Sequence, residues 1–235
     1  FKRSERRIGT ADACVRGRDG ELPITDLDLI HPVCEAFIAG AQTLGIPRNP
    51  DYNSGDQAGT GYFQRTIHKG RRYSAAKAFL RPARKRPNVE VRTSAQATRV
   101  VFEGKRAVGV SYIQGGRGGT AKEIGATREV VLCAGALNTP KLLQLSGIGP
   151  QALLRDHGLD VLVDLAGVGN NLKDHYGVRM VARLKGVRTL NSMAQGLPLG
   201  LEIAKWLLGR PSVLSISPSL AHLFWKSLPE LDIPD

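Results

Sequence analysis

Apolar residues recur along this chain with two periods, and the switches between them mark its elements. Between Pro32 and Leu44 they fall at Val33, Phe37, Ile38, Ala41 and Leu44, the spacing of one helix face, and Gly45 and Pro47 end the run. Residues 47–61 are rich in Asn, Asp, Gly and Pro and read as a loop, with a short helix expected over 74–80. Runs at 89–92, 97–102 and 107–114 predict strands, the last two joined as a hairpin through Glu103-Gly104-Lys105. Gly115 to Gly119 is a flexible turn. Val130 to Cys133 is apolar without interruption, the pattern of a strand buried on both faces of a parallel sheet, and predicts a central strand flanked by others within residues 84–170.

The residues after that run carry the candidate chemistry. Ala134-Gly135-Ala136 removes side-chain bulk at the strand's carboxyl end, where open α/β sheets bind cofactors; the same residues suit a tight strand-to-helix turn with no ligand. Asn138 or Thr139 can cap the next helix, Pro140 suits its first turn, Leu142, Leu143 and Leu145 give it apolar contacts, and Gly147 and Gly149 stop it. A short helix over 151–157 and a buried strand at 161–163 come next. Val178 to Leu184 alternates apolar and basic residues like an antiparallel strand with one wet face, and 197–208 reads as a helix carrying Trp206.

Composition narrows the function classes. The 235 residues, 42% of them hydrophobic, can form one domain or two small ones. No apolar run reaches the roughly 18 residues of a membrane span, so no transmembrane segment is expected. Phe1 stands in a charged run, FKRSERR, with neither an initiator Met nor a signal peptide, which predicts an excerpt of a longer protein. Cys14, Cys34 and Cys133 are odd in number, widely spaced and free of any CxxC pattern, which predicts a reducing, cytoplasmic compartment and no metal site. Cys34 and Cys133 read as small core residues. The net charge of +12 gathers in residues 1–18 and 69–86 without a nucleic-acid-binding motif, so it reads as a solvated face and no nucleic-acid partner is expected. The competing class is a basic module for nucleic acid or an anionic surface, which steep salt dependence of DNA binding would mark.

Four segments together resemble one family. Gly135-Ala136, Thr139-Pro140, Leu142-Leu143 and Ser146-Gly147-Ile148-Gly149 match the second signature of the glucose-methanol-choline (GMC) oxidoreductases. Gly70 to Leu80 is similar to their G-x-R-x-S-A-A-x-A-F-L segment, Asn88 to Val110 to their strand and hairpin, and Gly167 to His175 to G-V-G-x-N-L-x-D-H. The matches cover most of residues 59–180, and the likeness is to choline dehydrogenase-like members. The resemblance implies a mixed α/β (α+β) chain: part of an FAD-binding domain of the p-hydroxybenzoate-hydroxylase-like type over 84–170, with segments of an antiparallel-sheet substrate domain at 1–83 and 171–235. It implies that the parent protein oxidises a small alcohol by hydride transfer to FAD.

The same resemblance places the cofactor contacts. It implies that backbone at Ala97 meets the adenine edge and that Ala134 and Gly135 pass close to the adenosine diphosphate portion; plain packing is the alternative for each. The catalytic histidine of the family lies nearer the carboxyl terminus, so no catalytic residue is expected in this chain. The family's first signature and the phosphate-binding G-x-G-x-x-G are missing too. The nearest imitation, Gly115-Gly116-Arg117-Gly118-Gly119, leads into no apolar helix and fails as a dinucleotide loop. The chain alone is therefore expected to be inactive and not to retain FAD. Of its histidines, His31, His68, His157, His175 and His222, only His175 is tempting, and a structural hydrogen bond is favoured there over proton transfer.

Overall fold

The computed structural model describes residues 1–9 and 14–234. They form two compact units, Phe1–Val89 with the segment from Val181 onward, and Glu90–Met180. In chain order the elements begin with β1 (Glu5–Ile8), β2 (Leu22–Thr25), α1 (Pro32–Thr43), β3 (Gly59–Tyr62), β4 (Ile67–His68), β5 (Arg71–Arg72), a π-helical turn (Ala76–Leu80) and α2 (Arg81–Ala83). They continue with β6 (Ala95–Glu103), β7 (Arg106–Gln114), β8 (Thr120–Gly125), α3 (Gly135–Leu145), β9 (Ile148–Gly149), α4 (Gln151–Asp156) and β10 (Val163–Asp164). The last are α5 (Leu190–Met193), α6 (Gly196–Leu207), a 3-10 turn (Val213–Ser215) and β11 (Ala221–Phe224). The chain is mixed α/β, as its sequence predicts.

In the unit holding both termini, β1 and β2 pair in parallel, β3 pairs antiparallel with β11, and β4 with β5 makes a tight hairpin. Helix α1 starts where it does because Pro32 presets the backbone of the first turn and His31 Nδ1 accepts the Val33 N–H at 3.3 Å. It buries Ile38 and Ala41, whereas Phe37 and Leu44, expected on the same face, stay exposed. Three buried arginine side chains are each paired with carboxylates in this unit. The Arg16 guanidinium reaches Glu5, Asp51 and Gln64, and Arg7 and Arg65 pair with Asp26 and Asp28 at 2.5 and 2.6 Å. An always-charged planar fork of donors suits such sites, since several carboxylate and amide oxygens can share one cation. Helix α6 is anchored through Trp206, whose Nε1 donates to the Gly70 carbonyl at 2.7 Å.

The unit Glu90–Met180 is built on the antiparallel meander β6-β7-β8. The expected hairpin is present, closed by Gly104-Lys105, and both strands run longer than their apolar cores. Strand β8 has no signal in the sequence, because TAKEIG carries Ile124 as its one large apolar residue and has no period-two pattern. Helix α3 packs on β6, burying Leu142, and Ser146 at its end accepts the Val100 N–H at 2.8 Å while donating to the Leu142 carbonyl at 2.6 Å. One strand thus has an edge amide satisfied by a helix-capping hydroxyl. Strands β9 and β10 pair in parallel behind that helix end.

Several expectations are corrected. Val130 to Cys133 is extended but pairs with no strand, and Val131 is 71% exposed, so it is not a central strand. An apolar run becomes a strand only where a neighbour presents an unpaired edge, and no described residue offers one to this segment. Cys133 is accordingly exposed rather than a core residue. Residues 89–92 and 178–184 likewise join no sheet and lie largely exposed. The 161–163 strand shrinks to the two-residue β10. Helix α3 starts a turn earlier than Asn138 or Thr139 would have it, from an Ala134 cap without a side-chain bond; Pro140 lies inside it, and Thr139 Oγ1 instead accepts the Ala134 N–H at 3.1 Å.

Candidate functional site

Helix α3 organises the Glu90–Met180 unit around a cleft. Asn138, Lys141, Leu142 and Leu145 are spaced at i, i+3, i+4 and i+7, so they share one face of the helix. That face and Gln96, Ala97 and Thr98 of β6, with Ala134, line a cleft of about 570 Å³. Strand β6 is the edge of its sheet, and its register with β7 shifts between Ala97 and Arg99. A bulge of this kind bends the strand and re-aims side chains at a sheet edge. Here it accompanies a second use of Thr98, whose hydroxyl donates to the Ser111 carbonyl at 3.0 Å.

The structure therefore brings together two of the three sequence-derived cofactor positions. Ala97 and Ala134, 37 positions apart in sequence, face one cleft, and both lack bulk. Gly135, beside Ala134 at the start of α3, has φ +86°, a conformation an L side chain adopts only with strain. A Cβ built on Gly135 would meet no heavy atom of this chain within 4 Å, so its constraint is the backbone angle and the open space in front of it. Past α3, a second cleft of about 480 Å³ is lined by Ala136, Pro140, Lys141 and Gln144 together with Gly169 to Lys173. Gln144 fastens that loop by donating to the Val168 carbonyl at 3.2 Å. The second signature and the G-V-G-x-N-L segment thus border one cavity, and Lys141 borders both.

The donor set fits a nucleotide. Leu142 and Leu145 give an apolar wall for a flat base, Gln96, Thr98 and Asn138 offer amide and hydroxyl groups for its polar edge, and Lys141 supplies a cation suited to a phosphate. Gln96, Asn138 and Lys141 were missed by sequence reasoning. The signal that could have found them is the i, i+3, i+4, i+7 progression of α3 carried past its leucines.

The His31 ring caps α1, whereas the contacts of His157 and His175 are made by their backbone N–H groups, His157 closing α4 and His175 donating to Asp174 Oδ1 at 2.8 Å. Burial, with Arg6 and Lys69 nearby, lowers the pKa of His68. His222 is buried, and burial lowers its pKa as well. Among the described residues no group of three or more His, Cys, Asp or Glu side chains is placed to hold a metal ion, and no helix is long and apolar enough to cross a membrane.

Comparison with known proteins places the chain in a family. Residues 1–177 match the family model described as GMC oxidoreductase. An "Alcohol dehydrogenase [acceptor]" of Pseudomonas putida is 36% identical over 236 residues, covering 100% of this chain and 43% of its own length. An "Oxygen-dependent choline dehydrogenase" of Brucella ovis is 39% identical over 235 residues, again covering 100% of this chain and 42% of its own length. Among solved structures, an FAD-dependent oxidoreductase from Chaetomium thermophilum superposes with a TM-score of 0.84 at 27% identity, over 95% of this chain and 41% of that one. The chain spans less than half the length of the relatives it matches. With its motifs bordering the α3 clefts and a family model matching three quarters of its residues, the chain belongs to the GMC oxidoreductase family.

Proposed function

We propose that this chain forms part of an FAD-dependent enzyme that oxidises a small alcohol by hydride transfer to the flavin. The observation that carries the reading is the cleft between β6 and α3, where Ala97 and Ala134 leave room and Lys141 offers a cation. FAD, when bound, supplies the hydride acceptor of the reaction. This chain's part is to hold it: Leu142 and Leu145 against the adenine, Gln96, Thr98 and Asn138 toward its polar edge, and Lys141 with the open backbone at Gly135 toward the diphosphate. The proton of the alcohol is taken by a base outside this chain, an expectation that rests on the family resemblance.

In the same reading residues 84–170 belong to the FAD-binding domain, and 1–83 and 171–235 to a substrate domain; the division into one interrupted unit and one inserted unit supports it. A cytoplasmic location belongs to this reading, supported by the odd, widely spaced cysteines. The chain by itself does not retain the cofactor, because the costs of association remain while many of its contacts are absent. The test uses the full-length protein. It is expected to purify with one flavin per chain, and the visible flavin band is expected to bleach when a primary alcohol is added without oxygen. A folded, colourless protein, or a flavin that no alcohol in a broad panel reduces, refutes the proposal.

A further inference from the structure

Gln144 ties a loop to helix α3. Its Nε2 donates to the Val168 carbonyl at 3.2 Å, and a Cβ built on Gly169 would stand 2.7 Å from that same nitrogen, so the loop backbone lies against the amide. The other hydrogen bonds of residues 166–170 stay close to home: the Val168 N–H donates to the Leu165 carbonyl, the Asn170 N–H to that of Gly167 and Asn170 Nδ2 to that of Ala166. The hydrogen bond that joins the loop to α3 is thus the one from Gln144. Such a side chain must span the gap from helix to loop and must donate at its end. Glutamine does both, whereas methionine of similar length has no N–H to give.

The tethered loop runs on to Lys173, which borders the cleft of about 480 Å³ together with Lys141 of α3. Neither lysine pairs with a carboxylate among the described residues, so two ammonium groups from different elements border one cleft without a counter-charge. Lys141 also borders the cleft between β6 and α3. An anionic group that reaches Lys141 from the β6 side therefore arrives at the cleft that Lys173 lines. We propose that Gln144 is a positioning residue of the cofactor site: by holding the loop to α3 it sets Lys173 as a second cation, beside Lys141, on the diphosphate of FAD. This rests on the reading that the β6–α3 cleft holds FAD. An ammonium acts as a point charge whose effect falls with distance, so Lys173 counts only while its loop is held.

A double-mutant cycle on the full-length protein tests it, with FAD titrated into the flavin-free form. Lys173→Met should weaken FAD binding about tenfold, the loss of one hydrogen bond to a charged group. Gln144→Met should weaken it by a similar factor, and the double variant should bind about as weakly as either single one, because both changes remove the same contact. Independent effects would multiply to about a hundredfold and overturn the proposal. Hydrogen exchange of the Val168 and Asn170 amides in the flavin-free protein should quicken in Gln144→Met and not in Lys173→Met; equal rates in both would show that Gln144 does not hold the loop. Circular dichroism checks folding, and Gln144→Leu serves as the second variant should Gln144→Met not fold. Undiminished FAD affinity in folded Lys173→Met also overturns the assignment, since another part of the protein then occupies that cleft. Wild-type protein that binds no FAD refutes the underlying reading and this assignment with it, whereas wild type that binds FAD no better than the variants refutes the assignment alone.

Discussion

Replacing His222 by phenylalanine is expected to stabilise the unit built on β3 and β11 and to flatten its response to acid. His222 is 3% exposed, and neither ring nitrogen has a hydrogen-bond partner. Its neighbours are the rings of Tyr52, Phe63 and Phe224, with centroids 4.6, 5.2 and 5.0 Å away. Burial among these rings holds its pKa below the ordinary value. In the unfolded chain the imidazole takes up a proton below about pH 6.5, whereas the folded unit resists it until the pH falls through the lowered pKa. Unfolding therefore binds a proton in that window, and stability drops by about 1.4 kcal/mol for each pH unit of acidification. Between pH 6.5 and pH 5 the loss reaches at most about 2 kcal/mol. Phenylalanine keeps a ring of similar size and removes both the titration and the unsatisfied nitrogens, each of which costs about 1–3 kcal/mol. The variant should thus be more stable by about 1 kcal/mol or more at pH 7, with the margin widening toward pH 5. Urea unfolding followed by tryptophan fluorescence reads this unit directly, because Trp206 and Trp225 both lie in it. Other acid-sensitive groups act equally in both proteins and cancel. Identical margins at pH 7 and pH 5 would refute the reasoning.

Other substitutions probe the remaining parts of the molecule. Gly147→Ala, at φ +82° and with its Cβ built 2.7 Å from the Asp160 carbonyl oxygen, should cost at least about 1–3 kcal/mol in urea unfolding of the β9–β10 region; an unchanged midpoint would show that the turn is not constrained. Arg16→Met should destabilise by about 3–5 kcal/mol, because it leaves Glu5 and Asp51 facing each other without their cation, and a smaller loss in the same measurement would mean that water enters to replace it. His175→Ala in the full-length protein should leave the rate of flavin reduction within about tenfold of wild type, under 1.4 kcal/mol of barrier, and a stopped-flow loss of several orders of magnitude with flavin still bound would make His175 catalytic.

The sequence was legible where local pattern and local structure coincide. Helix α1 announces itself through Pro32, its apolar spacing and Gly45, and the β6–β7 hairpin through two β-rich runs and a glycine turn, since both satisfy their backbone groups within a short stretch. The Val130 to Cys133 run did not become the strand it resembles, because a ladder depends on a neighbouring edge and not on apolarity alone. Strand β8 shows the converse: it lies exposed and polar, held by the hydrogen bonds of β7. At the candidate site motif likeness pointed to Ala97 and Ala134, which line one cleft, while it gave no sign of the cleft's polar lining. Gln96, Asn138 and Lys141 become neighbours only when α3 is laid against β6, an encounter set by Leu142 and by the Ser146 bond to Val100.

Flavin content of full-length Ala97→Phe beside wild type tests most directly that this cleft holds the cofactor. The ring would occupy the cleft of about 570 Å³ from the β6 side, on a strand that tolerates an aromatic residue. A folded protein with at least about tenfold weaker FAD affinity is expected, read as flavin released on gel filtration. A variant that folds and keeps one tightly bound flavin per chain would contradict a cofactor site between β6 and α3.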